Sequence, residues 1–198
     1  SKERERILPK KDIIEFIDST YSLNGRVVAD VGAGTGYFAF PLAEKVKKPL
    51  TGLRVGTHIG CHMLHEIREY DDPKKPRALK DLVRVLGAEV VDYPSELMCC
   101  ASFARPMDEV KALGAVDRKM MDLWEAGADL LTVVCPSCYM QYELGQIEAA
   151  RRFSRSYKVP VLYYTQLLGL AMGFSPEEMG INLCKVKPEK LLSIIRQT

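Results

Sequence analysis

Five cysteines fall into three groups whose spacing invites metal chemistry: Cys61, then Cys99-Cys100, then Cys135-x-x-Cys138. A sixth, Cys184, lies outside the pattern, and the first 60 residues contain none. Taken alone, Cys135-x-x-Cys138 would suit a zinc knuckle or a thioredoxin-like redox pair. The adjacent pair argues against both. Consecutive side chains diverge, so two neighbouring thiolates crowd poorly around one tetrahedral ion and fit better on separate irons of one cluster. Five ligands are also one more than a closed zinc site takes. Soft thiolates in this number point to an iron–sulfur cluster. A burial role as small hydrophobes would explain one or two of them, but not five placed after strands.

The elements that must position these thiols alternate. Apolar periodicity, caps and breakers predict a helix over 12–22, a strand over 26–31 and a helix over 37–48. After the break at Pro49 to Gly52 come a strand over 53–59, a helix over 76–86 closed by Gly87, and a strand over 89–93. A helix over 107–126 ends at Gly127, a strand covers 130–134, and a helix over 136–153 opens with Pro136. A strand over 159–163 and helices over 165–172 and 188–195 complete the series. Such alternation implies an α/β fold, a Rossmann-like, mostly parallel sheet with flanking helices. In such a sheet the carboxyl ends of the strands share one edge, where ligands bind. Each cysteine group follows a predicted strand, so all five thiols are expected to meet there.

Composition sets the frame. The chain has 198 residues, 47% hydrophobic and 27% charged, with a net charge of +2, which suits a globular protein and gives no charge excess for nucleic acid. No apolar run reaches the ~18 residues of a membrane span. The opening SKERERILPKKD lacks the apolar stretch of a signal peptide. The expectation is a cytoplasmic protein with reduced cysteines.

Asp30 and the glycines Gly32, Gly34 and Gly36 form a second candidate site, where a strand runs into a glycine turn and a helix. In ADVGAGTGYFAFPLA, residues 1–48 resemble the opening of a class I S-adenosylmethionine-dependent methyltransferase. The resemblance implies that Asp30 and the glycine loop flank the methionine part of that cofactor. It covers about a quarter of the chain, and no acidic second strand follows, so S-adenosylmethionine ranks below the cluster as a ligand.

Residues 53–198 resemble the C-terminal half of the B subunit of heterodisulfide reductase, with its cysteine-rich CCG domain. The match rests on the five cysteines and on the flanks GTHIGCHML, DDPKKPRALKDLVRVLGAEVVDYP, CPSCYMQYELGQ and VPVLYYTQLLGLAMGFSPEEMGI. It implies two units, a methyltransferase-like segment over 1–48 and a CCG domain over 49–198. It further implies a noncubane 4Fe-4S cluster on Cys61, Cys99, Cys100, Cys135 and Cys138. Partner redox subunits and reductive cleavage of a small disulfide, of the coenzyme M–coenzyme B kind, follow from the same resemblance. The chain departs from the family in two ways. Ala101 replaces the glycine of the CCG motif, where glycine would admit positive φ. The methyltransferase-like piece also takes the place of the first cysteine-rich repeat.

Among the remaining residues, His62 adjoins a ligand and is the candidate to donate a hydrogen bond or proton to substrate sulfur. His58 and His65 flank the same cysteine. Tyr139, Tyr163 and Tyr164 are candidates to line a pocket or to fill the core. Lys74, Lys75 and Arg77 beside Asp71 and Asp72 read as a solvated helix start, YELGQIEAARRFSR as ordinary helix surface, and Cys184 as a plain semi-buried thiol. Two other functions are weighed against a redox role: a methyltransferase fragment, and a zinc-stabilised, non-catalytic assembly module.

Overall fold

The structure, a computed structural model, describes residues 46–61, 64 and 71–197. The predicted elements over 12–22 and 26–31, Asp30, Gly32, Gly34, Gly36, His62 and His65 lie outside the described residues.

Four strands, β1 (Arg54–His58), β2 (Glu89–Val91), β3 (Leu130–Val133) and β4 (Val161–Tyr163), form one sheet in the order β2-β1-β3-β4. Every pair is parallel, with Gly56 beside Val91, His58 beside Val133 and Val133 beside Tyr163. The chain leaves β1 towards β2 on one side and later enters β3 and β4 on the other. The switch in strand order therefore lies between β1 and β3, and the crevice it opens is at their carboxyl ends.

Among the described residues, five helices flank the sheet: α1 (Ala78–Val85), α2 (Glu109–Glu125), α3 (Pro136–Arg152), α4 (Tyr164–Ala171) and α5 (Glu189–Gln197). All four β3 residues are buried, as expected for a strand covered on both faces. Successive side chains alternate between two cores. Val55, Leu130 and Leu162 pack with Leu79, Val83, Leu167 and Leu191 from α1, α4 and α5. Leu131, Val133 and Val161 pack with Leu113, Val116, Met120, Leu123 and Tyr142 from α2 and α3. The two layers meet closely: a Cβ on Gly56 would press on the tip of the Leu123 side chain, which would have to move aside.

The α/β expectation holds. The helix ends follow the caps read from sequence: Gly87 and Gly127 take φ of 83° and 70° after α1 and α2, and Pro136 opens α3. Strands β2 and β4 are shorter than expected. Beyond Val91 the chain bends so that the Tyr93 hydroxyl donates to the Thr57 carbonyl, and before Val161 stands Pro160, which has no N–H to give a neighbouring strand.

Candidate metal centre

Two of the three cysteine groups leave the sheet side by side. After β1 the chain turns through Gly60, at φ 84°, into Cys61. After β3, Cys135 stays extended at the N-cap of α3 and Cys138 sits in its first turn. A Cβ on Gly60 would lie 3.5 Å from Cys135 Cβ and 3.8 Å from Cys138 Sγ, so the β1 loop lies directly against these two cysteines.

The third group needs a longer tether. Residues 92–98 carry the chain from β2 to Cys99, and a polar network fixes their path. Tyr93 reaches Thr57 O at 2.8 Å, and Thr57 Oγ1 donates to Glu96 Oε1 at 3.1 Å. Lys80 Nζ holds Asp92 and Glu96 at 2.7 and 2.8 Å. From α2, Lys119 Nζ donates to the carbonyls of Ser95 at 2.5 Å and Glu96 at 3.0 Å. Cys100 is thereby buried beside Cys138, with 3.4 Å between the sulfurs.

Ala101 then reverses the chain at φ 59° and ψ 20°. The left-handed conformation that the CCG glycine would favour is thus present, carried by alanine at a cost of roughly 1–2 kcal/mol. It aims the Ala101 N–H at Cys99 Sγ, 3.4 Å away.

The five thiols form one connected set. Cys138 contacts Cys100 directly, and electrostatic influence ties in the rest: Cys61 responds to Cys99 and Cys100, Cys100 to Cys99, and Cys138 to Cys135. Cys138 and Cys100 are buried, Cys61 and Cys135 partly so, and Cys99 is exposed at the rim. Among the described residues no three Cys, His, Asp or Glu side chains gather as a single-ion site. Donation from Cys138, aided by Ser102, lowers the Cys100 thiol to about 5 against the cost of burial. The same bond, with burial, pushes Cys138 up. Burial, then the neighbouring Cys99 and Cys100, raises Cys61.

Sequence reading missed two polar residues around this set, Tyr142 and Lys119, and named a third, His58, only as a neighbour of Cys61. Tyr142 stands one helical turn after Cys138, with its ring fully buried. Its hydroxyl has no hydrogen-bond partner among the described residues, yet burial and then the charges of Cys100, Tyr93, Cys138 and Cys99 raise its ionisation. It is a buried O–H donor within electrostatic reach of three of the sulfurs. His58, at the end of β1, is 3% exposed and packs edge-on against Tyr142 at 5.2 Å. Its Nδ1 lies 3.3 Å from both Lys119 Nζ, which donates, and the Glu96 carbonyl, which accepts, so the tautomer decides which of the two it pairs with. Lys119 itself is fully buried. The available signals were positional: Tyr142 shares a helix face with Cys138, and Lys119 occupies an apolar-face position between Val116 and Leu123.

Other expectations resolve individually. Tyr139 and Tyr163 stack at 4.5 Å, and burial, followed by the charges of Cys135 and Cys138, raises Tyr163, so the pair stands beside the thiols. Tyr164 is core, its hydroxyl reaching Leu82 O at 3.4 Å. Cys184 is a buried thiol of the first core, next to Tyr139, and more enclosed than expected. Asp71 accepts from the N–H groups of Arg77 and Ala78 at the start of α1, as a solvated helix start would. The YELGQIEAARRFSR stretch is a correction. Tyr142, Glu143, Gln146 and Ala149 are buried, because α3 packs into the second core. There Gln146 pairs with both backbone groups of Val159, and Glu143 accepts from the Lys185 and Val186 N–H groups.

The family comparison matches the cysteine-rich domain, CCG, to residues 55–143, the span that holds all five thiols. Residues 55–143 belong to the CCG cysteine-rich domain family. The chain with this CCG domain is 36% identical, over 77% of its length and 53% of the relative's, to the B subunit of the ferredoxin:CoB-CoM heterodisulfide reductase of Methanosarcina mazei. It is 37% identical, over 70% and 48%, to the B subunit of a ferredoxin/F(420)H(2)-dependent CoB-CoM heterodisulfide reductase of Methanosarcina acetivorans. It is 32% identical, over 76% and 54%, to the 8-methylmenaquinol:fumarate reductase membrane anchor subunit of Wolinella succinogenes. The chain thus spans about half the length of these curated relatives. Among solved structures, a hypothetical protein from Helicobacter pylori superposes with a TM-score of 0.58 at 13% identity, over 75% of this chain and 28% of that one, a likeness of fold alone. Among the described residues no helix is long and apolar enough to cross a membrane.

Proposed function

We propose that the CCG domain holds an iron–sulfur cluster on Cys61, Cys99, Cys100, Cys135 and Cys138 and serves as a redox subunit of a heterodisulfide reductase-like complex. The observation that carries this reading is the connected set of five thiols at the switch point of the sheet. The surroundings fit such a group. The donors are all soft sulfur, and Tyr142 offers a buried O–H that lacks an acceptor.

When bound, a noncubane 4Fe-4S cluster would supply electron transfer at sulfur-ligated iron. The residues of this chain do the rest. Cys100 and Cys138 form the buried floor, and the exposed Cys99 marks the side open to a substrate. The unpartnered Tyr142 O–H is the donor available to a bound cluster, and the Tyr139–Tyr163 stack stands beside Cys135 and Cys138. His62, next to Cys61 in the sequence, is the candidate proton donor.

The reaction we assign is reductive cleavage of a small disulfide. Two electrons from partner redox subunits and two protons break the S–S bond and release two thiols. The names of the Methanosarcina relatives point to the coenzyme M–coenzyme B disulfide as the substrate. Six free cysteines fit a cytoplasmic setting.

The similarity to the Wolinella protein favours a second reading, electron relay between partners without disulfide cleavage. An anaerobic assay separates the two. Reduced viologen is supplied with the reconstituted chain and the heterodisulfide, and free thiols are counted. Thiol release at two per two electrons supports cleavage. Viologen oxidation by an added acceptor, with no thiol release, supports relay.

A further inference from the structure

Ser102 carries a hydroxyl whose oxygen lies 3.5 Å from Cys100 Sγ. One residue earlier, the Ala101 N–H points at Cys99 Sγ from 3.4 Å. The two adjacent sulfurs thus each meet one polar group, and both groups come from the same turn. Among the described residues the Ser102 hydroxyl has no other hydrogen-bond partner.

The turn that brings them there is strained. Ala101 stands at φ 59° and ψ 20°, which alanine holds at a cost. Such strain persists where the surrounding structure imposes it, and it gathers at functional sites. Here it reverses the chain straight after Cys100 and opens a short 3₁₀ turn over Ser102–Ala104. That turn takes no side-chain cap, and Ser102 belongs to neither core. The fold therefore makes no evident use of the hydroxyl. A hydroxyl can donate or accept as its partner requires. A cysteine bound to iron is a thiolate with no proton to give. At a loaded site the Ser102 O–H is then the donor and Cys100 Sγ the acceptor.

We propose that the Ser102 hydroxyl, together with the Ala101 N–H, forms a two-donor clamp on the Cys99–Cys100 pair that makes the group bound there easier to reduce. The proposal rests on the iron–sulfur reading above. On reduction one electron enters from an external low-potential donor, no bond forms or breaks, and the site gains one negative charge. Donors aimed at the ligand sulfurs favour that state, since hydrogen bonds to sulfur are among the determinants of cluster potential. Ser102 acts through Cys100, so it is a positioning residue.

A side-chain change cannot delete the Ala101 N–H, so the test is made on Ser102. Ser102→Ala removes the hydroxyl, and Ser102→Thr keeps it. Wild type and both variants are reconstituted anaerobically, and midpoint potentials are read in a dithionite titration followed by visible absorbance. Thermal unfolding of each metal-free chain is measured in parallel. All three chains are expected to fold and take up iron. The reduction equilibrium of Ser102→Ala should fall roughly fivefold, about 41 mV for one electron, while Ser102→Thr keeps the wild-type potential. An unchanged potential in loaded Ser102→Ala would overturn the proposal. So would an equal fall in Ser102→Thr, because the hydroxyl would then not be the cause. A Ser102→Ala chain that unfolds or takes up no iron would also overturn it, since Ser102 would then serve the fold or the ligation. A wild-type chain that takes up no iron would overturn the iron–sulfur reading and this inference with it. That outcome differs visibly from failure of the inference alone, in which wild type loads normally.

Discussion

Cys138 in the first turn of α3 donates to Cys100 across 3.4 Å, although the two are 38 positions apart in the chain. The contact joins the loop after β2 to the loop after β3, and with Cys61, Cys99 and Cys135 it closes one set. Removing either member should therefore abolish the site, while the sixth cysteine should be irrelevant. Cys100→Ala and Cys138→Ala are expected to lose most of the iron taken up on anaerobic reconstitution. Cys184→Ala should keep it and lose only packing stability, since Cys184 sits in the other core. Iron content per chain is the readout. Equal loading in all three would remove the assignment of ligands.

Ala101 occupies the left-handed region at φ 59° without being glycine. Ala101→Gly removes a strain of roughly 1–2 kcal/mol but adds roughly 0.4–1 kcal/mol of unfolded-state entropy. The expected net effect is a gain between zero and about 1.6 kcal/mol, with iron uptake at least equal to wild type. A lower unfolding midpoint would show that the alanine methyl makes a contribution that its backbone geometry does not reveal.

Gly60 turns β1 towards Cys61 at φ 84°, with space for a methyl group but not the conformation for one. Gly60→Ala should cost about 1–2 kcal/mol and displace the loop against Cys135 and Cys138, weakening metal uptake. Urea unfolding of the metal-free chain separates the first effect from the second.

His58 gives a pH signature. Burial, then the Lys119 ammonium, lowers its pKa from 6.5 to about 3, against the pull of the Glu96 carbonyl. The folded imidazole stays neutral while that of the unfolded chain protonates. Stability is therefore full above pH 6.5 and is lost progressively as pH falls from 6.5 towards 3, by about 2 kcal/mol at pH 5. Comparing stability at pH 7 and pH 5 in wild type and His58→Gln isolates this contribution. The variant should show the smaller drop, and an equal drop would place the acid sensitivity elsewhere.

The sheet was largely legible because its strands are short apolar runs and its helices carry strong punctuation. Gly87, Gly127 and Pro136 set boundaries through backbone geometry alone, which sequence states directly. The cysteines were legible for a similar reason: strands in a parallel sheet end at one edge, so residues just after them converge. Ala101 was readable too, since the turn it occupies requires positive φ whatever residue stands there. What escaped was the polar interior. Lys119, Gln146 and Glu143 read as surface residues by type, and only tertiary packing supplied backbone partners that make their burial tolerable. The orphan hydroxyl of Tyr142 was hidden for the same reason, because Tyr142 opens the stretch that reads as helix surface and only the packing of α3 into the second core buries it.

The central claim is that five thiols hold an iron–sulfur cluster, and the most direct measurement is metal and acid-labile sulfide analysis of chain purified without oxygen, with a visible spectrum of the same sample. The account predicts about four irons and four sulfides per chain and a brown protein. Zinc, or no metal and a colourless protein after anaerobic reconstitution, would contradict it and leave the domain as an assembly module.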